Sequence, residues 1–129
     1  MNFILYIKGS ELADFNYSKP FFESLKEGIS NATFLDIDNF SENELIDFTI
    51  KALKESSKSS VVFDILPKSN MNALAKLAIY IADNPLGKNV FVYGNDPKIN
   101  KILFPQDDFS YHDFPKEKLI EKISRFMNE

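Results

Sequence analysis

The chain has 129 residues, with 15 Lys and Arg against 19 Asp and Glu for a net charge of −4, one His and no Cys. Disulfides, thiolate metal sites, cysteine nucleophiles and multi-histidine metal sites are thereby excluded, and the negative balance speaks against a general binder of nucleic-acid phosphates. A length of 129 residues with an apolar fraction of 44% and 26% charged residues predicts one globular domain over residues 1–129, with a core rich in its 13 Phe and 5 Tyr.

The apolar run from Met1 to Ile7 is too short, and too soon interrupted by Lys8, to serve as a signal peptide or a membrane span. No membrane partner is expected, and the absence of Cys makes the cytoplasm the simplest compartment. Phe3 to Ile7 reads as a first strand, apolar on both faces and therefore central. Lys8-Gly9-Ser10 ends it. A polar loop to about Ser18 precedes a helix that Pro20 opens, with Phe21, Phe22, Leu25 and Ile29 on one face. Thr33 to Ile37 alternates more and predicts an edge strand. Ser41-Glu42-Asn43-Glu44 has the spacing of a capping box ahead of a second helix lined by Leu45, Ile46, Thr49, Ile50 and Leu53.

After a polar turn at Ser56 to Ser60, Val61 to Leu66 predicts a third strand carrying Asp64 near its end. Met71, Leu74, Leu77, Ala78 and Ile81 form the stripe of a third helix, which Pro85 stops. Val90 to Tyr93 is a fourth strand. Asp96-Pro97 opens a short helix as cap and first helical residue. Phe109 to His112 predicts a short fifth strand, and Pro115 opens a last helix facing inward with Leu119, Ile120, Ile123, Phe126 and Met127.

Strands alternating with helices over short connections predict a three-layer sandwich around a five-stranded parallel sheet of order 2-1-3-4-5, the flavodoxin-like arrangement. Open α/β folds place their sites beyond the carboxyl ends of the strands. That edge gathers Lys8, Gly9 and Ser10, Asp36 and Asp38, Asp64, Lys68 to Asn70, Gly94, Asn95 and Asp96, and His112. From it we take Lys8, Gly9, Ser10, Asp64, Gly94, Asn95 and His112 as the candidate ligand or ion-pair site. Asp64 has two readings: a helix cap or lysine partner, or a ligand-binding acid. No P-loop, no G-x-G-x-x-G and no nucleophile elbow occurs, and neither a catalytic residue nor a cofactor nor a metal is assigned.

The segment VVFDILP, with ADNPLGKNVFVYGN and DDFSYHDFPKEKLIEKISRFM after it, resembles the second half of a response-regulator receiver domain, over about Val61 to Met127. The resemblance puts Asp64 at the phosphoacceptor position. Where that family holds Mg²⁺ with acidic residues this chain has Lys8 and Gly9. Gly94 replaces the Thr or Ser of the fourth strand, and His112 stands for the lysine of the fifth. Mg²⁺ requires oxygen ligands that neutralise its charge. The resemblance therefore implies a degenerate, non-catalytic receiver-like signalling or protein-interaction domain without the Mg²⁺ and phosphorylation site. Its partner would be another protein or a second copy, met through the face from the fourth to the fifth helix, Ile99 to Phe126. The aromatic stretches Phe15-Asn16-Tyr17 and Phe104 to Phe114 are candidate contacts.

A weaker resemblance comes from Ala75 to Ala82 followed by Leu86-Gly87-Lys88-Asn89-Val90, which is similar to nucleoside deoxyribosyltransferase-like and TIR-like proteins. It implies a nucleotide-binding protein or N-glycosidase as the alternative, although Lys76 stands where the nucleophilic Glu is expected.

Overall fold

A computed structural model describes residues 1–11, 20–103 and 111–129, with Tyr111 and His112 described by backbone alone. Four full strands form a parallel sheet in the order β2-β1-β3-β4: β1 Asn2–Gly9, β2 Thr33–Asp38, β3 Lys58–Ile65 and β4 Lys88–Tyr93. Of the fifth strand expected over Phe109 to His112, the described residues Tyr111–His112 form β5, pairing parallel with Phe91 and Val92 of β4. Residues 104–110, like residues 12–19, lie outside those described.

The strands at the centre of the sheet are those whose sequence is apolar on both faces. Leu5, Val62 and Phe91 are completely buried, and each such side chain contributes about 1.5–3 kcal/mol relative to exposure. β2 is the more exposed strand, as its alternation requires at an edge. Two clusters of side chains flank the sheet. On one face Phe3, Leu5, Ile7, Val61 and Phe63 pack against α2 (Asn43–Glu55), α3 (Ala75–Asp83) and α4 (Pro97–Leu103). On the other, Ile4, Tyr6, Val62, Phe91 and Tyr93 pack against α1 (Pro20–Gly28) and α5 (Leu119–Met127). Among the described residues, no helix is long and apolar enough to cross a membrane.

The capping box does not form. Helix α2 starts at Asn43, with Glu42 at its cap position and no side-chain cap. The Ser41 hydroxyl instead accepts from the Asp38 N–H at 3.0 Å, so the serine is used in the turn leaving β2. Such a short polar side chain bonds whichever amide is nearer, and here the turn competes successfully with the helix. Asp96 does cap α4, its Oδ1 accepting from the Ile99 N–H at 2.9 Å. The polar turn expected through Ser60 ends sooner. Ser59 and Ser60 are buried strand residues, and the Ser60 hydroxyl donates to Asn89 Oδ1 on β4 at 2.5 Å.

Candidate functional site at the carboxyl edge of the sheet

Register assembles this edge. Lys8, Asp64 and Tyr93 lie level on three adjacent strands, and Tyr6, two residues before Lys8, shares their face. Asp64 is 7% exposed. Its Oδ2 accepts from Lys8 Nζ at 3.0 Å and also from the Tyr6 hydroxyl. The Lys8 and Asp64 side chains are only 12% and 10% exposed, so this is a largely desolvated ion pair. A carboxylate removed from water needs both a counter-charge and hydrogen bonds, and Asp64 receives them on one oxygen.

The aromatics of α1 pack on the two tyrosines beside this pair. Phe22 stacks on Tyr6 with centroids 5.6 Å apart, and Phe21 lies 6.0 Å from Tyr6 and 5.6 Å from Tyr93. The Lys116 ammonium sits 5.0 Å from the Phe21 ring centroid and 5.1 Å from that of Tyr93.

Tyr93 carries an anomaly at this edge. Its hydroxyl is buried and has no hydrogen-bond partner among the described residues. Burial foremost, then the carboxylates of Asp113, Asp64 and Glu117, push its phenol well above the ordinary tyrosine range. It therefore stays neutral at any physiological pH. Removing an unsatisfied buried hydroxyl relieves a desolvation cost, so Tyr93→Phe should raise stability by about 1 kcal/mol at neutral pH. The pH dependence has a definite sign. The folded phenol holds its proton more tightly than the unfolded one, so this group leaves wild-type stability independent of pH below about pH 10 and lowers it as pH rises beyond, widening the advantage of Tyr93→Phe. Denaturant titrations at neutral and strongly alkaline pH should show the wild type losing more stability than Tyr93→Phe. Parallel losses would refute the assignment.

The loops beyond the strands are tied down by their own backbone. Asn39 is buried; its Oδ1 accepts from the Ser10 N–H at 3.0 Å, and its Nδ2 donates to the carbonyls of Ser10 at 2.9 Å and Asn70 at 3.0 Å. One amide thus joins the ends of β1, β2 and β3. The Sδ of Met71 and Oγ of Ser69 pack against Gly9, where a Cβ would lie 2.7 Å from that sulfur. Asp38 Oδ1 accepts from the Phe40 N–H at 2.8 Å, and Asn70 Oδ1 from the Asn72 N–H at 3.0 Å.

Gly94 has φ +89°, and its N–H donates to Asp113 Oδ1 at 3.3 Å. Asn95 Oδ1 accepts from Asn100 Nδ2 at 2.6 Å, so Asn95 belongs to the start of α4. The His112 backbone pairs with Val92 at the outer side of β4, and its side chain lies outside what is described. So do Phe15, Asn16, Tyr17 and residues 104–110 of the aromatic stretches. Lys76, at the position of the expected Glu, is exposed on α3 and bonds Asp47 of α2 at 2.5 Å.

Of the residues expected from sequence, Lys8 and Asp64 meet directly. Tyr6, Tyr93, Asn39 and Asp113 were missed. Two of these carried a signal: Tyr6 shares the parity of Lys8, and Tyr93 ends β4 as Asp64 nears the end of β3. Asn39 and Asp113 sit in turns, where no period points to a neighbour. Among the described residues, no three acidic, His or Cys side chains converge to hold a metal ion. Four surface cavities of about 250 to 430 Å³ among the described residues are lined without Asp64.

Fold and edge together define a class: an α/β protein with a parallel sheet whose strand-end acid is paired with a lysine and hydrogen-bonded by a phenol. No protein-family model, no curated protein and no solved structure matches the chain.

Proposed function

We propose that this chain is a non-catalytic, receiver-like interaction domain of the cytoplasm, flavodoxin-like with β5 completing the order 2-1-3-4-5. In it the Lys8 ammonium takes the place beside Asp64 that a cation would hold. The observation carrying this reading is the 3.0 Å contact of Lys8 Nζ with Asp64 Oδ2, beside the Tyr6 hydroxyl and the rings of α1. Phosphoryl transfer to a carboxylate needs an accessible oxygen and cations to neutralise the transferred group. Here the desolvated oxygen already bonds two donors. The domain then acts through its surface, on another protein or a second copy. In the stretch expected for contact, Ile99 to Phe126, the described part includes a cavity of about 250 Å³ between Phe114, Lys118, Glu121, Lys122 and Arg125.

Incubation with acetyl phosphate and Mg²⁺ should leave the intact mass unchanged. A stoichiometric gain of one phosphoryl group that disappears in Asp64→Asn would overturn the proposal.

A further inference from the structure

On the outward side of α2, the helix shows an apolar stripe. Ile46, Thr49 and Leu53 face the core, while Phe48 is 58% and Leu45 36% exposed, with Ala52 half-buried in the same row. Phe48, Lys51 and Ala52 form one wall of a cavity of about 410 Å³, and Phe34 and Leu35 of the edge strand form the other. An exposed Phe at the mouth of an apolar cavity is the composition of an interface core.

The charges beside the stripe indicate what covers it. Asp47 is taken by Lys76 of α3. Glu44 and Lys51 are exposed and form no ion pair among the described residues. They lie on the same flank of the stripe, about 10 Å apart along the helix, too far to pair with each other. Phe48 falls between them, four residues after Glu44 and three before Lys51. A second α2 running antiparallel and crossing at Phe48 brings each Glu44 beside the Lys51 of the other copy. A parallel two-fold copy would instead put the charged flanks on opposite sides of the seam, where Glu44 and Lys51 do not meet. The antiparallel arrangement is isologous: every contact occurs twice, and the helix dipoles oppose.

We propose that the chain self-associates as a two-fold dimer through α2 and the β2 edge, Phe48 of each copy entering the cavity of the other between paired Glu44 and Lys51 side chains. This face is distinct from the one between α4 and α5 that the receiver resemblance implies.

Sedimentation velocity from about 10 to about 500 µM, a range suited to a modest interface, should show a concentration-dependent dimer. Phe48→Glu should abolish it. Glu44→Lys or Lys51→Glu alone, each turning two attractions into repulsions, should weaken it by about tenfold. The double reversal Glu44→Lys with Lys51→Glu should restore it, an outcome that general surface stickiness does not produce. All three residues changed lie on the solvent side, so circular dichroism of the four variants should remain that of the wild type. A monomer throughout the range, a dimer indifferent to Phe48→Glu, or a double reversal no better than the single ones would each overturn the proposal.

Discussion

Gly94→Ala should be among the most damaging one-methyl changes in this protein, lowering stability by roughly 3–5 kcal/mol. Two costs combine. The residue has φ +89°, a conformation that glycine adopts freely and alanine does not. In addition, a Cβ built at Gly94 would fall 2.0 Å from the Ile65 carbonyl oxygen, an overlap with backbone that no rotamer change removes. Relief would require the ends of β3 and β4 to separate, at the level where Asp64 and Tyr93 are in register. Gly28→Ala is the control. Its Cβ would meet the Ile120 side chain at 2.7 Å, which can shift, so the cost should be nearer 1 kcal/mol. Urea or guanidinium titration of both variants checks this, and equal losses would refute the backbone overlap as the cause.

The ion pair should behave as a unit. Lys8→Met and Asp64→Asn should each destabilise the fold by roughly 1–3 kcal/mol, because each leaves a desolvated partner short of its counter-charge. Methionine keeps most of the lysine stem, and asparagine keeps an oxygen for the Tyr6 hydroxyl, so packing changes little. The double variant should cost clearly less than the sum of the two. Chemical denaturation of the four proteins measures that difference. Strict additivity would show that the two side chains do not interact, and would free Asp64 for a ligand.

Much of this architecture was legible in the amino-acid order. The strand order β2-β1-β3-β4 follows from which strands are apolar on both faces, and most of the buried helix faces follow from a period of 3.6, Leu45 of α2 being the exception, exposed where it was expected to line the core. Asp96 capping α4 was equally readable, since cap and amide are three residues apart. These signals are local in sequence or carried by periodicity. Of the fifth strand read over Phe109 to His112, the described part, Tyr111–His112, pairs with β4 as expected.

The amino-acid order alone thus carries the parallel α/β framework and places Lys8 and Asp64 at the carboxyl ends of their strands. Tertiary structure alone decided how their charges are satisfied. Tyr6 and Tyr93 join the pair because register aligns strands far apart in the chain, and Asn39 closes three loops because those strands end together. The unused capping box at Ser41 has the same origin: two local hydrogen bonds of similar strength compete, and the path of the chain out of β2 selects one. The exposed stripe on α2 also needed the fold, for a helix pattern shows which residues are apolar but not which of them another element leaves uncovered.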